Sequence, residues 1–127
     1  LDKSLLDIRG NINAEIEKHL LEMVGFSVDT ARNGVDAIQA FTVSKVGEYS
    51  AILMDIRMPF MDGLEATRTI RQIKKQDAGS VPIIAMSANA FAEDIEKSIN
   101  SGMNAHLSKP IEPEILYRTL HELIRKQ

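Results

Sequence analysis

Five short strand-like stretches, each followed by a segment whose apolar residues recur at helical spacing, constrain this chain more than any other feature. They are Lys3 to Leu6, Phe26 to Thr30, Ala51 to Met54, Val81 to Met86 and Asn104 to Leu107. Phe26, Val28 and Thr30 alternate with Ser27 and Asp29, the signature of a strand with unequal faces. Ala51 to Met54 and Val81 to Met86 are continuously apolar, which suits a strand buried on both sides. Pro82 stands at the start of its run, where no ladder donor is lost. Between the runs lie Ile12, Ile16, Leu20 and Met23, then Val35, Ile38 and Phe41, then Leu64, Ile70 and Ile73. Phe91, Ile95 and Ile99 follow, and Ile115, Leu116, Leu120, Leu123 and Ile124 mark a last helix over Glu112 to Lys126. Each spacing predicts an amphipathic helix with its stripe in the core. Asn11 or Asn13 is expected to cap the first, and Gly25 to close it in a left-handed conformation. Asn33-Gly34, Gly47, the loop Asp77-Ala78-Gly79-Ser80 and Gly102 supply the other breaks. Strand and helix in strict alternation predict an α/β fold, a doubly wound parallel sheet covered on both faces.

The 127 residues, 44% hydrophobic and 26% charged, suit one globular domain spanning 1–127. A net charge of −3 argues against a chain built to bind nucleic acid. Arg68, Arg71, Lys74 and Lys75 line one helix and read as a solvated face. No run approaches the roughly 18 apolar residues of a membrane span, and no leader resembles a signal peptide. The absence of cysteine excludes disulfides and thiolate metal sites and fits a cytoplasmic setting. The chain begins at Leu1 rather than a methionine, so we expect it to be cut from a longer multidomain protein.

In an open parallel sheet the carboxyl ends of the strands share one edge, where ligands bind. Four of these ends carry chemistry: Asp7, Asp55, Ser87 and Lys109. Asp55 closes an apolar run and is followed by turn residues, Met58-Pro59 and Asp62-Gly63. A carboxylate, a hydroxyl and an ammonium on one edge suit phosphoryl transfer. The carboxylate is a potential nucleophile, and the other two neutralise and position the transferring group. Phosphoryl approach to a carboxylate also calls for a cation, and Mg2+ takes one or two carboxylates plus phosphate oxygens and water.

The order Asp55, Met58-Pro59, Asp62-Gly63, then Pro82-Ile83-Ile84-Ala85-Met86-Ser87-Ala88, then Lys109-Pro110 resembles the receiver domain of two-component response regulators. Leu64-Glu65-Ala66-Thr67-Arg68-Thr69-Ile70-Arg71 is similar to the version found in hybrid sensor histidine kinases. The resemblance runs from about Asn13 to Ile124. It implies a flavodoxin-like sheet of strand order 2-1-3-4-5 and a phosphorelay role. Asp55 would be the phosphoacceptor, charged by a phosphohistidine on a histidine kinase or a histidine phosphotransfer domain. Ser87 and Lys109 would bind the phosphoryl group, with Lys109-Pro110 a cis peptide. Asp55 and the backbone carbonyl of Arg57 would hold Mg2+. Ser87 and His106, which stands where the family carries its switch aromatic, would alter the face of helix 4, strand 5 and helix 5. That face would also be the site of a homodimer. As an enzyme the isolated domain would at most phosphorylate and dephosphorylate itself, and its parent would be a histidine kinase, with no membrane contact by this domain.

One departure from the family bears on the cofactor. Receivers carry an adjacent acidic pair at the end of strand 1, and here an ungapped count puts Ile8 and Arg9 there. Asp7 is the nearest acid and the remaining candidate ligand, so weak Mg2+ binding is expected. The alternative function is a pseudo-receiver, an interaction module of the same fold that accepts no phosphate. An aspartyl-nucleophile phosphatase would need a second aspartate at position 57, which is arginine. A flavodoxin would need a Ser/Thr-rich loop where Ile8-Arg9-Gly10-Asn11 stands. His19 and His121 read as surface residues.

Overall fold

The computed structural model describes residues 3–8, 14–56, 61–88 and 91–125, with side-chain surroundings from residue 18 onward. Strands and helices alternate as β1 (Lys3–Ile8), α1 (Ala14–Met23), β2 (Phe26–Ala31), α2 (Gly34–Val43), β3 (Tyr49–Asp55), α3 (Gly63–Gln72), β4 (Ile83–Ser87), α4 (Ala92–Ser101), β5 (Ala105–Ser108) and α5 (Pro113–Arg125). All neighbouring strands pair in parallel, in the order β2-β1-β3-β4-β5. The flavodoxin-like expectation is met.

Alternation along the strands divides the core in two. Ile52, Met54, Ile83 and Ala85 pack with Ala37, Phe41, Ala66 and Ile70 on the α2 and α3 side. Leu53, Ile84 and Met86 pack with Leu21, Leu116 and Leu120 on the α1 and α5 side. Central strands buried on both faces need apolar residues at every position, which is why β3 and β4 read as continuous runs. β1 extends two residues beyond the expected strand, to Ile8, because its pairing with both neighbours continues to that point. Asn33-Gly34, expected as a turn, is a helix start: the Asn33 side chain accepts a bond from the Asp36 amide at 2.9 Å. Asp62 caps α3 in the same way through the Glu65 amide, at 2.8 Å. Gly25 and Gly102 sit at φ 99° and 110°, closing α1 and α4 as glycines do. The cap expected at Asn11 or Asn13 lies outside the described residues.

Several expected core positions are exposed. Met23 at the end of α1 is 69% exposed, and Val35 on α2 is 52% exposed. The largest correction concerns α4, where Phe91 and Ile99 face solvent and the buried residues are Ser98 and Ser101. A 3.6-residue stripe marks one face of a helix, and only packing decides whether that face turns inward.

The supposed solvated basic face of α3 is likewise half structural. The Arg71 guanidinium donates to the carbonyls of Gly102 and Ala78 and to Asn104 Oδ1, at 2.8 to 3.0 Å. Burial draws its pKa down from the ordinary arginine value, but guanidinium keeps its proton throughout the range of protein chemistry. Asn104 Oδ1 also accepts from the Ile83 amide, so one arginine ties α3 to the end of α4 and the start of β4. Lys75 donates to the Phe41 carbonyl at the end of α2 and lies 4.1 Å from the Phe41 ring centre.

Gly63 opens α3 directly against the end of β3, with its amide 2.8 Å from the Ile56 carbonyl. A Cβ at this position would stand 2.4 Å from the Asp55 carbonyl oxygen and 2.9 Å from Ile56 Cα. Gly63→Ala therefore has to push α3 off the strand that carries Asp55. We expect a loss of about 1–3 kcal/mol or more in chemical denaturation, measured against Gly79→Ala, whose Cβ meets nothing within 4 Å.

Candidate functional site at the carboxyl edge of the sheet

β3 delivers Asp55 as its last residue, in register with Met86 of β4. Ser87 follows Met86 as the last residue of β4 and stands beside Ser108, the last residue of β5. The Lys109 amide then donates to the Ser87 carbonyl at 2.8 Å, holding the chain beyond β5 against the end of β4. Three consecutive strands thus place Asp55, Ser87 and Lys109 together. The Lys109-Pro110 peptide is cis, as the resemblance implied.

Lys109 Nζ lies 2.8 Å from Asp55 Oδ2. The Asp55 side chain is only 6% exposed, whereas that of Lys109 is 26% exposed. Removing a carboxylate from water costs several kcal/mol unless a partner charge and hydrogen bonds offset it. Lys109 is that partner, and its partial exposure leaves the ammonium within reach of a ligand entering from solvent.

Ser87, 8% exposed, is joined to His106 by a 2.8 Å contact between Oγ and Nε2. The other ring nitrogen, Nδ1, is 3.0 Å from Ser98 Oγ on α4. His106 therefore bridges the site hydroxyl and α4. Ser98 is a member that sequence reasoning missed. Its only trace is polar: Ser98 and Ser101, three residues apart, are the buried residues of a helix whose large apolar neighbours Phe91 and Ile99 are exposed.

Asp7 stands in register with Leu53, two residues before Asp55, and β1 runs one residue past it to Ile8 beside Met54. The Asp7 side chain, Arg9 and the Arg57 carbonyl lie outside the described residues. Among the described residues no three His, Cys, Asp or Glu side chains come together as a metal cluster. Asp55 alone supplies one carboxylate, the lower end of what Mg2+ takes when phosphate oxygens and water complete its shell.

Beside His106, a cavity of about 280 Å3 is lined by Leu107, Pro110, Ile111, Glu112 and Ile115. A second, of about 430 Å3, lies where β2 begins, lined by Val24, Phe26, Tyr117 and His121 among others, at the opposite edge from Asp55. His19 and His121 are exposed, as expected. No helix among the described residues is long and apolar enough to cross a membrane.

Comparison with known proteins gives the same answer as the geometry. The family model of the response regulator receiver domain matches residues 10–121. The hybrid signal transduction histidine kinase I of Dictyostelium discoideum is 39% identical over 126 residues, which is 98% of this chain and 7% of that protein. The sensor histidine kinase RcsC of Salmonella typhimurium is 34% identical over 109 residues, covering 86% of this chain and 11% of its own length. The chain thus spans a small part of these relatives. Among solved structures, the receiver domain of sensor histidine kinase PA1611 from Pseudomonas aeruginosa, with magnesium coordinated in its active site cleft, superposes with a TM-score of 0.86 at 34% identity over 98% of both chains. With a buried aspartate paired to a lysine, a hydroxyl residue ending the strand between them in a 2-1-3-4-5 sheet, and these relatives, the chain belongs to the response regulator receiver domain family of two-component signal transduction.

Proposed function

We propose that Asp55 is the phosphoacceptor of this receiver. The observation that carries the reading is the 2.8 Å pairing of a nearly buried Asp55 carboxylate with the accessible Lys109 ammonium, with Ser87 ending the strand between theirs. The donor is a phosphohistidine on a histidine kinase or histidine phosphotransfer partner. A carboxylate oxygen of Asp55 forms a bond to phosphorus as the phosphorus–nitrogen bond of the donor breaks, and the imidazole leaves with the electron pair. Lys109 turns from the carboxylate toward the phosphoryl oxygens and neutralises part of their charge. Ser87 gives its hydroxyl proton to another of them. Mg2+, when bound, would supply the remaining positive charge that phosphoryl transfer to a carboxylate needs. Asp55, the Arg57 backbone carbonyl and Asp7 are the residues proposed to hold it.

The output is a change in α4, β5 and α5 that begins at Ser87 and His106. The exposed apolar residues Phe91, Ile99 and Ile115 lie on the two helices of that face, and the cavity beside His106 gives the imidazole room to move. The face is proposed to meet a partner or a second copy of the domain. The parent protein is proposed to be a hybrid histidine kinase, with this domain on the cytoplasmic side. The convergence of Asp55, Ser87 and Lys109 at adjoining strand ends supports a phosphoacceptor over a pseudo-receiver, which would need only the Lys109–Asp55 pair to keep the buried carboxylate compensated.

Incubation with acetyl phosphate and Mg2+ is expected to add the mass of one phosphoryl group to the wild type and none to Asp55→Asn, read by intact mass spectrometry. An adduct on Asp55→Asn, or none on the wild type, contradicts the assignment.

Ile8 and Arg9, where the family has acids, predict Mg2+ affinity below that of an acid-pair receiver. Arg9→Asp is expected to tighten Mg2+ about tenfold or more in a calorimetric titration, since it removes a like charge and adds a carboxylate ligand. Unchanged affinity would show that position 9 does not contribute to the metal site.

A further inference from the structure

Ser98 lies in α4 away from the acceptor aspartate, is fully buried, and has a hydroxyl that makes two contacts. It donates to the Asp94 carbonyl one turn earlier, at 3.1 Å, and stands 3.0 Å from His106 Nδ1. A carbonyl oxygen only accepts, and a hydroxyl has one proton to give. With that proton directed to Asp94, the Ser98 oxygen is an acceptor toward the imidazole, so Nδ1 carries the ring proton. On this assignment Nε2 of the neutral imidazole is the acceptor, and the 2.8 Å contact with Ser87 Oγ, whose direction follows the tautomer, runs from the Ser87 hydroxyl to Nε2. The three residues form a directed chain in which the Ser87 proton points to His106.

We infer that Ser98 is a positioning residue for the phosphoryl-binding hydroxyl, acting by selecting the Nδ1–H tautomer of His106. The inference rests on the proposed role of Ser87. A phosphoryl group on Asp55 offers acceptors only, so it competes with Nε2 for the single Ser87 proton. Binding that group redirects the Ser87 hydroxyl, so the imidazole gives up the 2.8 Å bond it makes to Ser87. The relay therefore opposes the phosphoryl-bound arrangement. It also carries the event to α4, because an imidazole that reorients loses the Ser98 contact as well. Among the described residues, Glu112 lines the cavity beside the ring, and the Lys109–Asp55 pair lies at the neighbouring strand ends.

Removal of the Ser98 hydroxyl leaves Nδ1–H without this acceptor and favours the Nε2–H form, which donates to Ser87 Oγ and releases the Ser87 proton toward Asp55. Ser98→Ala is thus expected to move the His106 ring from Nδ1–H to Nε2–H in nitrogen-resolved imidazole NMR. It is also expected to tighten beryllofluoride, an acceptor-only phosphoryl mimic, by about two- to tenfold at saturating Mg2+. Ser101→Ala serves as the control: it deletes another buried α4 hydroxyl, one that bonds the Ser98 carbonyl at 2.7 Å. Its ring spectrum and affinity should match the wild type. An Nε2–H ring in the wild type, or equal effects of the two substitutions on affinity, overturns the role of Ser98. Failure of the wild type to bind beryllofluoride at all overturns the phosphoacceptor reading, and the positioning role with it.

Discussion

A carboxylate held almost out of water at the end of β3 sets the terms for the rest of this structure. Asp55 is tolerable there because Lys109 meets it at 2.8 Å, and a buried charge without such a partner is strongly destabilising. Lys109 in turn depends on β5 pairing with β4, and on its own amide bonding the Ser87 carbonyl. α3 must start close enough to close the end of β3, which only a residue without a Cβ allows at position 63. Sheet order, crossover geometry and one glycine thus converge on keeping this buried charge paired with a lysine that solvent can reach.

The same edge reaches outward through α4. Most surface helices bury their apolar stripe, whereas α4 buries Ser98 and Ser101 and exposes Phe91 and Ile99. Helices held by hydrogen bonds to a few polar groups give up less on moving than helices held by large apolar burial. Arg71 secures the far end of α4 through the Gly102 carbonyl, while His106 holds Ser98 nearer the middle. α4 is therefore fastened at two polar points, one structural and one connected to the site. Its exposed positions are mostly polar, with Phe91 at the N-cap and Ile99 the large apolar exceptions.

The architecture was readable because period and punctuation agree: five strand-like stretches, five helical stripes, and glycines between them. Asp55, Ser87 and Lys109 were readable for a related reason. The carboxyl end of a parallel strand is a defined place in space once the strands are known, so linear position translates into proximity. Met23, Val35, Phe91 and Ile99 misled because an apolar residue on a helix reports amphipathicity without saying what the helix faces. Arg71 and Lys75 misled in the opposite sense: basic side chains on a helix usually belong to solvent, and their carbonyl partners come from distant segments. Ser98 had no signal of its own, since a serine in a helix has many reasons to be there.

By itself the sequence determined the α/β alternation, the parallel sheet and the identity of the three groups at its edge, because these follow from local periodicity and strand ends. The tertiary structure alone decided which helix faces are buried, that Lys109 pairs with Asp55, and that His106 joins Ser87 to Ser98. Those are relations between residues up to 54 positions apart, and their energies depend on burial and geometry that arise only after the chain has packed.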